Sequence, residues 1–270
     1  MGIVLCFSLC SLLCFVILLS TMHSIVTALL ISLGVYILLH VVCLTFFLLV
    51  GMTVPNDRPI EKQNQLCRYG CDAMAGAVNW YAGVHAIITG LDKIPEDSRF
   101  LFVCNHRSMY DPLIIMDKLR KYNIAFISKP SNFKIPFIGR PGYAAGYLPI
   151  DRENNREALK TILTAADYMK RDLCSIGIFP EGTRSKTEDL LPFHAGSFKT
   201  AQKASVPIVV ASIRGTEKLK HMKPFPTTPV YLDILECIPA EAVKAMRTDK
   251  LSEHVQDLIR ASFAKGESEG

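Results

Sequence analysis

The segment NHRSMYD, residues 105–111, places a base (His106), a cation (Arg107) and an acid (Asp111) between a short apolar run and an apolar-periodic stretch that opens at Pro112. A His at the carboxyl end of a buried strand, with a carboxylate to hold its ring in one tautomer, is a competent general base toward a hydroxyl. Continuous helix between the two would set them about 140° apart, at about 100° per residue, so the pair requires a turn. Each residue also has a plain structural reading. Asp111 caps a helix whose first position is Pro112, and His106 is a satisfied polar residue at a strand end. The readings are compatible, because a capping carboxylate keeps an oxygen free for an imidazole.

A second chemical segment, IFPEGTRS at 178–185, also follows a buried apolar run. Gly182 permits a tight turn whose backbone N–H groups can cradle an anion, and the Arg184 guanidinium matches phosphate geometry. Glu181 would repel a dianion, so it either orients Arg184 or accepts from a substrate hydroxyl. The alternative is a surface turn closed by an ion pair. Lys129, Arg140 and Arg152 follow other apolar runs; they are either solvated loop charges or the wall of an electropositive pocket for a phosphomonoester, whose charge is about −1.5 to −2.

The elements that must position these residues alternate. Runs at 85–90, 99–104, 123–128, 145–150, 175–180, 206–213 and 230–236 are rich in Ile, Val and Phe and bounded by Gly, Pro or charge, as buried strands are. Helical patterns occupy 112–122, 156–171, 195–204 and 252–265. This order predicts an α/β fold, a largely parallel mixed sheet flanked by helices, with ligands at the carboxyl ends of the strands. GLDKIPED, from residue 90, is read as closing an antiparallel hairpin onto that sheet.

No Asp, Glu, Lys or Arg occurs before residue 53, and about 20 helical residues span the roughly 30 Å hydrocarbon core of a bilayer. Residues 1–52 therefore read as a membrane-anchoring helical hairpin, with helices near 3–19 and 25–50 and a turn at 20–24. Residues 53–82 read as a linker and an amphipathic helix, and 83–270 as the α/β domain. Arg58, Lys62 and Arg68 follow the second helix, which puts the polar part on the cytoplasmic face. A cleaved signal peptide is disfavoured, since no Lys or Arg precedes the apolar run.

The net charge of +5 suits anionic substrates or lipid headgroups, and no dense basic run points to nucleic acid. The nine cysteines show no disulfide or zinc spacing. Walker, dinucleotide and G-x-S-x-G motifs are absent, which disfavours covalent catalysis.

NHRSMYD followed some seventy residues later by FPEGTRS resembles the glycerolipid acyltransferase family, in particular the 1-acylglycerol-3-phosphate acyltransferases. The likeness extends through ISKP, LPIDREN and VPIVV, roughly 85–215. It implies an α/β acyltransferase domain at a membrane surface that moves a fatty acyl chain from a coenzyme A or acyl carrier protein thioester to lysophosphatidate, with no cofactor and no metal. His106 would be the general base and Asp111 its orienting partner. Glu181, Gly182, Thr183 and Arg184 would bind the glycerol phosphate, with Lys129 and Arg152 as further phosphate contacts, and Asn105 and Ser108 would shape the first turn. Compact size and the resemblance favour a bacterial inner membrane over an endoplasmic reticulum. Two departures bear on substrate preference: LPFHAGSF has His194 where the family often has Lys, and Ala211 and Ser212 follow VPIVV. The rivals are the same chemistry on glycerol 3-phosphate or another lysophospholipid, a metal phosphoesterase, and a noncatalytic lipid-binding protein.

Overall fold

The computed structural model describes residues 2–21, 24–53, 58–136, 138–185, 187, 189–219 and 227–267. Two long apolar helices, α1 (Gly2–Thr21) and α2 (Ile25–Met52), come first, followed by α3 (Gln65–Tyr81). Parts of the turn read at 20–24 and of the linker that opens the segment read at 53–82 lie outside the described residues. The α/β succession is β1 (Val84–Thr89), β2 (Leu101–Cys104), α4 (Tyr110–Lys118), β3 (Ile124–Ser128), α5 (Gly139–Ala144), β4 (Leu148–Pro149), α6 (Asn155–Lys170) and β5 (Ser175–Ile178). It ends with α7 (Lys199–Ala204), β6 (Ile208–Arg214), β7 (Thr228–Ile238), α8 (Ala240–Ala245) and α9 (Thr248–Glu267).

The strands form one sheet in the order β1-β7-β6-β2-β5-β3-β4. From β6 to β4 every pairing is parallel; β7 runs antiparallel to β6, and β1 is parallel to β7. The hairpin expected at GLDKIPED is not formed. β1 pairs with β7 rather than β2, and Leu91–Lys93 is a 3₁₀ turn that carries the chain off the sheet edge. The interior strands β2 and β5 are buried along their whole length, which accounts for their unbroken apolar sequences. α5 escapes the pattern reading because GRPGYA contains two glycines and a proline.

α3 fixes how the apolar helices sit against the sheet. Near its start, Arg68 pairs with Asp72 (2.9 Å) and donates to the Ile124 carbonyl at the beginning of β3 (2.6 Å). Near its end, Asn79 donates to the Leu113 carbonyl in the first turns of α4 (3.0 Å). α3 thus runs from the amino edge of β3 to the carboxyl edge of the parallel strands. α2 packs along it in the opposite direction. Phe47 lies over Gly70, where a Cβ would collide with its ring, and the Tyr36 hydroxyl is hydrogen-bonded to that of Tyr81. α1 folds back on α2, with Ser11 donating to the Ser32 carbonyl (2.7 Å) and Phe7 edge-on to His40. Residues 25–35, with the portion of α1 paired to them, therefore project beyond the carboxyl edge of the sheet.

Candidate active site

β2 ends at Cys104, and Asn105 extends its pairing with β6 through the side chain. Nδ2 donates to the Ile213 carbonyl (2.9 Å) and Oδ1 accepts from the Ile213 N–H (2.8 Å). The main chain is thereby released to turn at His106. Four contacts fix that residue. Its N–H donates to Glu181 Oε1 (2.6 Å), its carbonyl accepts from Ser185 N–H (2.8 Å), its ring stacks on Phe179 (4.2 Å between centroids), and Nδ1 lies 2.8 Å from Asp111 Oδ2. Phe179 in turn stacks on Phe126 of β3 (5.3 Å), so the imidazole plane is set from the core outward.

Asp111 is not the helix cap that the sequence suggested. Met109 occupies that position, and Asp111 lies in the first turn of α4 with its carboxylate pointing back. Oδ2 also accepts from the N–H groups of Arg107 and Ser108, both at 2.7 Å. The side chain is fully buried. An ionised carboxylate only accepts, so Nδ1 carries the proton and Nε2 is left as the basic atom. The His106 side chain retains 19% exposure, enough for a substrate hydroxyl to approach.

The PEGTR loop follows β5, the sheet neighbour of β2 and β3. Glu181 is buried, and its two oxygens accept from His106 N–H and Leu191 N–H (3.0 Å), tying the two site loops together. Burial raises its pKa, against the pull of those two N–H groups. Gly182 has φ +74, and Thr183 and Arg184 are exposed. Lys129 follows β3 directly, and Arg152 stands in the short loop between β4 and α6; both are exposed. Because β2, β5, β3 and β4 are parallel neighbours, all these residues emerge at one edge of the sheet. Arg152 reaches the loop, with Nη1 3.2 Å from where a Cβ on Gly182 would be. The side chains of Arg152, Arg184 and Lys129 make no hydrogen bond or ion pair among the described residues.

Two other cations are engaged elsewhere. Arg140 donates to the Met52 carbonyl at the end of α2 (3.3 Å), and Arg107 has Nε 3.6 Å from Glu217. A cleft of about 260 Å³ opens between Leu48 and Met52 of α2 and residues 133–136, and none of the residues assembled around His106 lines it. Cys104 is fully buried and its thiol pKa is raised well above the ordinary value by burial, so it offers no thiolate nucleophile. Among the described residues no cluster of His, Cys, Asp or Glu could hold a metal.

Sequence reasoning missed Phe179, which it quoted only as part of the loop, and the tie to Leu191. The aromatic before PEGTR was the available signal for the first. The second depends on a loop return with no local pattern.

Residues 85–214 match the Acyltransferase family. A 1-acyl-sn-glycerol-3-phosphate acyltransferase of Borreliella burgdorferi is 30% identical over 67% of this chain and 72% of its own length. The chain belongs to the 1-acylglycerol-3-phosphate acyltransferase family. Haemophilus influenzae has a family member 29% identical over 66% of this chain and 75% of that one. The fold is shared with the crystal structure of the 1-acyl-sn-glycerophosphate acyltransferase of Thermotoga maritima (TM-score 0.59, 22% identity, 84% of this chain and 95% of that chain). The matched region contains both sequence blocks, and the geometry above shows how they meet.

Proposed function

We propose that the protein transfers a fatty acyl group from a coenzyme A or acyl carrier protein thioester to the free hydroxyl of 1-acylglycerol 3-phosphate, forming phosphatidate. The carrying observation is the His106–Asp111 pair, held at 2.8 Å, beside a loop flanked by cations; among the described residues neither His106 Nε2 nor the side chains of Arg152, Arg184 and Lys129 have a polar partner. His106 Nε2 takes the hydroxyl proton as that oxygen attacks the thioester carbonyl. Asp111 stabilises the resulting imidazolium, the carbon–sulfur bond breaks, and the proton passes from Nε2 to the departing thiolate. General-base catalysis of this kind contributes about 10²- to 10⁴-fold. Arg184, Arg152, Lys129 and the backbone at Gly182 and Thr183 hold the phosphate, and this orientation adds to the rate. Glu181 acts as a positioning residue, since its oxygens are turned to the backbone of both loops.

The apolar helices supply the anchor. Their outward side chains, among them Leu9, Leu13, Ile25, Val26 and Leu30, are more than half exposed and require a lipid cover. Past Tyr36 the hairpin projects only residues 25–35, about 16 Å of helix against a hydrocarbon core of about 30 Å. This favours insertion into one leaflet with the catalytic edge turned to the lipid. Trp80 and Tyr81, at the end of α3, then lie at the interface. The basic residues after α2 favour the cytoplasmic face.

The test is phosphatidate formation by purified protein from lysophosphatidate and a long-chain acyl thioester, with and without chelator, alongside glycerol 3-phosphate and lysophosphatidylcholine as acceptors. Chelator-insensitive product from lysophosphatidate in preference to the others is expected. A faster reaction with either alternative acceptor, or loss of activity on chelation, would overturn the assignment.

A further inference from the structure

The segment 191–194 is pressed onto the PEGTR turn at two points. Leu191 N–H donates to Glu181 Oε2 (3.0 Å), and His194 N–H donates to the Pro180 carbonyl (2.9 Å). From its far side α9 holds the same segment, with Gln256 donating to the Leu191 carbonyl (3.1 Å) and Ser252 to that of Phe193 (3.4 Å). The His194 backbone then opens a 3₁₀ turn at Ala195–Phe198, which anchors it from the other end. The ring edge of His194, Cδ2 and Nε2, lies 3.1 Å from where a Cβ on Gly182 would stand, the same point that Arg152 Nη1 approaches to 3.2 Å. Nε2 and Nη1 therefore converge on the left-handed Gly182 turn and stand no farther apart than those two distances together. Two oxygens of one phosphate can bridge that span with charge-assisted bonds of about 2.8 Å. His194 is exposed, and its ring has no hydrogen bond or ion pair among the described residues.

We propose that His194 is a ligand of the acceptor's phosphate, gripping it at the Gly182 turn together with Arg152. This rests on the reading of the PEGTR loop as an anion site and adds a residue to it. The absence of a side chain at Gly182 then has two causes. The turn needs a positive φ, and the space a methyl would fill is where the imidazole and the guanidinium approach the ligand. A phosphomonoester dianion offers enough oxygens for His194, Arg152 and Arg184 together, whereas a phosphodiester headgroup, with two of its oxygens esterified, offers fewer.

The test uses full-length protein in detergent micelles and compares wild type, His194→Ala, His194→Gln and His194→Lys. Two readouts are taken: steady-state kinetics with each substrate varied, and direct titration with glycerol 3-phosphate as a non-acylated phosphate probe, followed by calorimetry. The expected result for His194→Ala is a KM for lysophosphatidate raised about tenfold, from loss of one charge-assisted bond, with kcat and the thioester KM within about twofold of wild type. His194→Lys should restore the acceptor KM, and His194→Gln should fall between. Melting temperatures close to wild type exclude misfolding as the cause. An unchanged acceptor KM in both His194→Ala and His194→Gln, or equal loss in kcat and both KM values, overturns the proposal. The titration separates the two readings. Wild type that makes no phosphatidate yet binds glycerol 3-phosphate more tightly than His194→Ala refutes the proposed reaction and supports the site; equal binding by the two refutes the site whatever the reaction.

Discussion

Replacing Asp111 by Asn should slow acyl transfer by about three orders of magnitude with the fold intact. Asp111 Oδ2 accepts from His106 Nδ1 at 2.8 Å and from the N–H groups of Arg107 and Ser108 at 2.7 Å each. The two backbone donors cannot reverse, so they hold the amide oxygen of Asn at the Oδ2 position and His106 keeps its proton on Nδ1. In serine proteases the equivalent change costs about 10⁴ in kcat because the tautomer is lost. Here the tautomer is kept and the charge is lost, and the amide nitrogen takes the place of Oδ1, a buried atom with no partner among the described residues. An imidazolium and a carboxylate about 4 Å apart at an effective dielectric of about 20 attract by about 4 kcal/mol, which at about 1.4 kcal/mol per decade is about 10³ in kcat. Asp111→Ala differs in kind. It strands two backbone donors and an imidazole N–H beneath the site, for about 2–5 kcal/mol of stability. Initial rates at saturating lysophosphatidate and thioester, paired with thermal melts, separate the two variants. Asp111→Asn that keeps more than about a tenth of wild-type kcat would refute the electrostatic role, and Asp111→Ala melting with wild type would refute the structural one.

Glu181→Gln leaves one acceptor oxygen for two backbone donors, so stability should fall by about 2 kcal/mol and kcat should drop as the His106 loop loosens, with the thioester KM unchanged. Wild-type melting and kcat together would show that the tie between the loops is dispensable. Burial pushes Asp72 up to about 6 from an ordinary value of 3.8, despite its pairing with Arg68. The folded state therefore binds the extra proton between these values; the contribution of Asp72 to stability is full below about pH 4 and is lost as pH rises through about 6. Wild type should lose about 2 kcal/mol relative to Asp72→Asn between about pH 4 and pH 7 in denaturant melts, and a relative gain would contradict this.

The strands and the longer helices were legible because interior parallel strands write themselves as unbroken apolar runs and amphipathic helices as a repeat. β1 was read as a strand, but its partner was not, since local sequence favoured a hairpin over pairing with β7 across a long separation. The His106–Asp111 relation was inferred from residue types, from their spacing after a strand end and from the family resemblance. Its geometry, a carboxylate inside the helix pointing back rather than capping it, depends on how three donors crowd one oxygen. Glu181 was visible as an outlier among cations, yet its partners are backbone N–H groups from two loops, and neither carries a sequence signature. Arg140 sits in a segment like those of Lys129 and Arg152, but α5 turns it toward the end of α2.

The central claim is that His106 Nε2 removes the acceptor's proton in a direct transfer. Its most direct test is single-turnover phosphatidate formation by His106→Ala against wild type, with lysophosphatidate and thioester binding measured on the same preparations. The account predicts that both ligands bind within about twofold of wild type, that no acyl-enzyme accumulates when the thioester is added alone, and that the transfer rate falls by about 10²- to 10⁴-fold. Transfer by His106→Ala at the wild-type rate, or an acyl group covalently retained by the wild-type protein, would contradict it.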